Sequence, residues 1–143
     1  MMPIALTDLL DTFAFVTDEA ERVNLLISFA DQFREVPPEV ATRPFPKDHL
    51  IPYCESEAYV WVIPQVDGTL TLHFAVENPS GISAKALAAI LQSTLSGATP
   101  DQIQSVPSNL VQQLFRENIS MGKGMGLMAM VQAVQALARG GRR

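Results

Sequence analysis

The chain offers little reactive chemistry, and most of it sits at one place. There is one cysteine, Cys54, and there are two histidines, His49 and His73, far apart along the chain. A thiol acts as nucleophile through its thiolate. Cys54 stands beside Glu55, Ser56 and Glu57 at the end of a proline-rich stretch. A free cysteine is often a small buried apolar side chain, but such polar neighbours are unusual for a core position. The two carboxylates oppose a thiolate between them. Cys54 therefore needs a cation from elsewhere in the fold, for which Lys47, His49 and Lys123 are candidates, or a partner that completes the site. Ser56 can bond the loop backbone.

Other chemistries lack their residues. A structural zinc site or an iron–sulfur cluster needs three or four good ligands, and one cysteine with two separated histidines does not supply them; no bound metal or cofactor is expected. There is no phosphate-binding P-loop and no GxGxxG. Gly122, Gly124 and Gly126 alternate, but no strand precedes them, which leaves that signal weak. The serine elbow of a hydrolase triad is missing. His73 reads as a surface or satisfied histidine on the polar side of a strand. Tyr59 and Trp61 read as core. Met121, Met125, Met128 and Met130 read as gap-fillers of the core in preference to a soft interface.

The elements that must position Cys54 follow from periodicity and punctuation. Leu6, Leu9, Leu10 and Phe13 recur at helical spacing. A second helix is expected from Asp18, a capping residue with Glu21 three positions on, with Val23, Leu26, Ile27, Ala30 and Phe33 as its buried stripe and Pro37-Pro38 as its end. Residues 37–53 contain five prolines (Pro37, Pro38, Pro44, Pro46 and Pro52) and read as a long extended connection of the sort that often carries function. Residues 58–63 are aromatic and β-branched. Residues 70–76 alternate, with Leu70, Leu72, Phe74 and Val76 on one side, and Asp67-Gly68 supplies the turn of an antiparallel hairpin. Helices follow at 83–95, stopped by Gly97; after Thr99-Pro100-Asp101-Gln102, a capping box with proline at the first position; near 107–116; and at 124–139, with Leu127, Met130, Val131, Val134 and Leu137 inward. The expected class is α+β: a small antiparallel sheet built on a hairpin and packed against several α-helices.

Composition narrows the functions. The 143 residues fit one domain, 1–143, long enough for a core without staples. A net charge of −5 with scattered lysines and arginines argues against a nucleic-acid surface, which needs a basic stripe, and against acidic membranes. No apolar run approaches a membrane span, and residues 1–10 have neither the positive start nor the apolar run of a signal peptide. One cysteine cannot form an internal disulfide, which suits a reducing, cytoplasmic location.

Tyr53-Cys54-Glu55-Ser56 followed by Val60-Trp61 resembles the Gly-Cys-x-Ser-x-Val-Trp signature of the SufE family of cysteine desulfurase sulfur acceptors. Three further stretches are similar to that family in order: residues 18–38; residues 87–103, with Ser96-Gly97-Ala98-Thr99-Pro100 and Ile103; and residues 119–130, ending Gly126-Leu127-Met128-Ala129-Met130. The chain departs from the pattern at four places. Tyr53 stands where the family has glycine, two extra residues lie between Ser56 and Trp61, Lys123 falls on the family arginine, and Asn78-Pro79-Ser80 fall on an Asp-Ser-Asp.

The resemblance implies a SufE/IscU-like fold and a sulfur acceptor for iron–sulfur cluster assembly. Cys54 would take a persulfide sulfur from a cysteine desulfurase that uses pyridoxal phosphate, stimulate that partner, and hand the sulfur to an iron–sulfur scaffold, with no cofactor of its own. The implied site is Cys54 with Ser56, Lys123 and His49. Such a protein transfers sulfur within a complex and is not a free-standing enzyme. Two other readings stand beside it: a module that regulates a desulfurase by surface contact without carrying sulfur, and an independent thiol enzyme using Cys54 and His49.

Overall fold

The computed structural model describes residues 1–116 and 119–140. Two strands, β1 (Ala58–Pro64) and β2 (Leu70–Val76), pair antiparallel from Ala58↔Val76 to Pro64↔Leu70. Gly68 closes their turn at φ +88°, a conformation that costs a glycine nothing. Alternation divides the hairpin into two faces. Ala58, Val60, Leu70, Leu72, Phe74 and Val76 enter the main core. Tyr59, Trp61 and Ala75 enter a separate cluster on the far side.

Helices cover the first face. α1 (Ile4–Phe15) and α2 (Glu19–Asp31) precede the hairpin. α3 (Ile82–Leu95), α4 (Pro100–Gln104), α5 (Leu110–Phe115) and α6 (Met121–Ala138) follow it. α3 lies on β2 and α6 on β1, with α2 packed against α3 and α4 against α6. Several ends are as expected. The Asp18 carboxylate accepts from the Glu21 N–H, Thr99 and Gln102 form a reciprocal capping box, and Gly97 lies beyond α3 at φ +90°. The α+β class expected from the sequence is the class observed. α6 starts at Met121, three residues before the expected position, because the Ser120 hydroxyl accepts from the Lys123 N–H and caps it.

The buried stripe of α2 and the placement of three α6 methionines differ from expectation. On α2, Leu26 is buried, but Val23 and Ile27 are each 40% exposed and Arg22 is the other buried residue. The Arg22 guanidinium donates to the carbonyls of Phe13 and Val16 at the end of α1, both at 2.7 Å. It also donates to Gln113 and Leu114 in α5, at 3.3 and 3.1 Å. One planar cation thus satisfies carbonyls from two helices, and these bonds set the rotation of α2. Burial, with Arg116 nearby, pulls its pKa down from the ordinary arginine value. On α6, Met130 is buried as expected. Met121, Met125 and Met128 are instead exposed, because Leu127, Met130, Val131 and Val134 take the inward face.

The proline-rich connection is a cover for the outer face of the hairpin. Its ends pair with the sheet: the Val36 N–H donates to Phe74 O, and Leu50 bridges Tyr59. Between them Phe45 packs its ring against both Tyr59 and Trp61. Arg43 joins Glu35 and Glu77 across this cover and lies over the Phe45 ring. The long extended connection expected from the sequence therefore lays Val40, Phe45 and Leu50, with Val36 just before it, as an apolar lid on the sheet.

Candidate functional site

Cys54 sits in a tight loop between two paired limbs. The Ile51 N–H donates to Ala58 O at 2.8 Å, and residues 52–57 form the tip. Two residues in the left-handed region make the reversal, Tyr53 at φ +64° and Glu57 at φ +52°, and the Glu57 N–H donates to Cys54 O. A non-glycine residue in that region costs about 1 kcal/mol, which gives a physical reason for a glycine where this chain has Tyr53. Tyr53 is 72% exposed. The outgoing limb is tied down, with Glu77 and Asn78 N–H groups donating to Glu57 and Ser56 carbonyls, each at 3.1 Å.

Cys54 is half-buried and packs against the main core. It lines an open cleft of roughly 190 Å³ with three walls. The Cys54 loop, residues 53–56, is one. The turn from Asn78 into the start of α3 is the second; there the Asn78 side chain accepts from the Ser80 N–H and hydroxyl. The third is the beginning of α6, with Gly122, Lys123, Gly126 and Leu127.

Of the expected site residues, Cys54, Ser56 and Lys123 line this cleft together, and Asn78 and Ser80 join them. His49 does not. Its Nδ1–H donates to Val60 O at 2.9 Å, and its ring stacks on Trp61 with centroids 5.0 Å apart, which puts it with the outer cluster. Lys47 is also engaged on that side, its ammonium donating to the Tyr59 hydroxyl at 3.2 Å. Of the three candidate cations only the exposed Lys123 reaches the cleft. His73 pairs across the hairpin with Trp61. Its Nδ1 is buried without a hydrogen-bond partner among the described residues, and desolvation lowers its pKa below the ordinary value.

Two residues of the site escaped sequence reasoning. A methyl group at Gly126 would meet Tyr53 O at 2.9 Å and the Cys54 Cα at 3.1 Å, and one at Gly81 would meet Ser56 Oγ at 2.7 Å. The alternating glycines at 122, 124 and 126 were the visible sign of the first. Nothing local marks Gly81.

A helix-covered hairpin that displays one thiol in an open cleft defines a small α+β single-thiol protein. The chain belongs to the SufE family, described as an Fe-S metabolism associated domain, which matches residues 7–138. Among solved structures it is similar to a solution structure of a hypothetical protein from Thermus thermophilus. The two are 23% identical with a TM-score of 0.76, over 98% of this chain and 97% of that one. No curated protein matches the chain. Among the described residues no helix is long and apolar enough to cross a membrane.

Proposed function

We propose that this protein is a sulfur acceptor whose Cys54 receives sulfur from the persulfide of a pyridoxal-phosphate-dependent cysteine desulfurase and passes it on for iron–sulfur cluster assembly. The observation that carries the reading is the placement of the lone cysteine, half-buried at a loop tip and lining an open cleft. A cysteine enclosed in the core could not meet another protein's persulfide.

The transfer is a thiolate displacement. The Cys54 sulfur attacks the outer sulfur of the donor's persulfide. The new bond joins Cys54 Sγ to that outer sulfur, the donor's sulfur–sulfur bond breaks, and the donor cysteine leaves as a thiolate. The outer sulfur keeps its oxidation level and its proton, so no oxidant or reductant enters. Lys123 supplies positive charge at the cleft, and the start of α6 adds the positive end of its dipole. Both offset Glu55 and Glu57 while the thiolate forms. Ser56 shapes the loop wall. His49 lies with Trp61 and takes no part in the transfer. The second sulfur–sulfur displacement, onto a scaffold protein, repeats the same chemistry with Cys54 as the leaving group. A cytoplasmic location suits a thiol that must stay reduced.

Incubation with a cysteine desulfurase and free cysteine, followed by intact-mass measurement, tests the reading. The chain is expected to gain one sulfur atom that reductant removes, and Cys54→Ser is expected to gain none. A wild-type chain that stays at its original mass while the desulfurase turns over refutes it. Stimulation of the desulfurase that survives in Cys54→Ser would identify a regulatory module in place of a carrier.

A further inference from the structure

We propose that Gly126 and Gly81 are positioning residues that form a two-sided seat for the Cys54 loop and set how far the thiol is withdrawn. The proposal rests on the reading of Cys54 as the reacting group. The three glycines at the start of α6 differ sharply in their surroundings. A methyl group at Gly122 would meet nothing within 4 Å, and one at Gly124 would touch only Ile119 Cδ1 at 3.5 Å. At Gly126 it would stand 2.9 Å from Tyr53 O and 3.1 Å from the Cys54 Cα. Those are backbone atoms, which have no rotamer to escape into, so either the helix or the loop must shift.

Burial decides which one moves. α6 is held just beyond this point by Leu127, 3% exposed, and by Met130 and Val134, both fully buried. The loop carries an exposed Tyr53 already in a costly backbone conformation and a partly exposed Cys54. Core residues resist displacement far more than a solvated loop tip does, so the loop yields.

The second seat is at the start of α3. A methyl group at Gly81 would lie 2.7 Å from Ser56 Oγ, 2.9 Å from Ser56 Cβ and 3.1 Å from Val76 Cγ1. The hydroxyl can rotate aside, but the Cβ can move only with its backbone, which the Asn78 N–H holds through the Ser56 carbonyl. Gly126 therefore supports the entry of the loop and Gly81 its exit, with Cys54 between them.

The test is the rate at which iodoacetamide, a small uncharged electrophile, alkylates Cys54 in the full chain without any partner. Gly126→Ala is expected to raise that rate about tenfold, while Gly124→Ala stays within about twofold of wild type. Both changes favour the helix by a similar amount, so a loosened α6 cannot produce the difference. Gly81→Ala is expected to give a smaller rise, about threefold. A folded Gly126→Ala that reacts at or below the wild-type rate overturns the proposal. Should that variant fail to fold, Gly81→Ala decides in the same way. The readout needs no desulfurase, so failure of sulfur acceptance would leave the seat intact, and failure here would leave sulfur acceptance intact.

Discussion

Replacing Arg22 by methionine removes one charge and four hydrogen bonds while keeping the apolar stem. Arg22 is 1% exposed, and its guanidinium donates to the carbonyls of Phe13, Val16, Gln113 and Leu114. The Phe13 and Leu114 bonds are fully buried, whereas Val16 and Gln113 lie where water can reach part of the bond. A buried acceptor left unpaired costs about 1–3 kcal/mol, a cost that falls on the Leu114 carbonyl. Phe13 O keeps the Val16 N–H, and the Val16 and Gln113 carbonyls reach water, so each of these three lost bonds adds only about 0.5–1 kcal/mol. Methionine no longer requires a buried charge, which returns part of that penalty. The net expectation is a loss of about 3 kcal/mol. At about 3 °C per kcal/mol for a chain of this size, the melting temperature falls by roughly 10 °C. Arg22→Lys keeps the charge, but a single ammonium cannot serve the ends of two helices, so about half of the loss is expected to remain. Urea unfolding monitored by circular dichroism, run beside thermal melts, measures both variants. Loss of less than about 1 kcal/mol in Arg22→Met would refute the reasoning, and so would a lysine variant as stable as wild type.

Lys123→Ala is expected to slow sulfur acceptance several-fold while changing stability by less than about 0.5 kcal/mol, since the side chain is exposed and its helix keeps the Ser120 cap; single-turnover mass measurement and a melt separate the two effects, and Lys123→Arg is expected to restore the rate. His73 is held below its ordinary pKa of 6.5 by desolvation, with Glu39 opposing. The folded state therefore resists a proton that the unfolded chain accepts, so this contribution to stability is present above about pH 6.5 and lost as pH falls through that value toward the lower folded-state pKa. The stability difference between His73→Phe and wild type should widen in favour of the variant from pH 7.5 to 5, and a difference that stays constant with pH excludes a buried neutral imidazole.

Much of this protein was legible because its signals act over three or four residues. The Asp18 cap, the Thr99–Gln102 box, the Gly68 turn and the alternation of Leu70 to Val76 each depend on local backbone geometry. Cys54 stood out too, as the lone thiol among polar neighbours, and the signature around it pointed to the SufE family to which the chain belongs. Long-range packing decided the remainder. A helical repeat announces a buried face without naming what opposes it, so on α2 the apolar Val23 and Ile27 yielded the inside to Arg22, whose partners lie in α1 and α5. On α6 the helical repeat placed Met130 inward with Leu127, Val131 and Val134, but that Met121, Met125 and Met128 stay outside the core was decided by the packing of α6 on β1. His49 and Lys47 are near Cys54 in sequence, yet the two faces of a strand separate them from it, while Lys123, remote in sequence, arrives on the helix that crosses the loop. The need for glycine at 126 exists only where α6 touches the Cys54 backbone, a contact between segments that no local pattern relates.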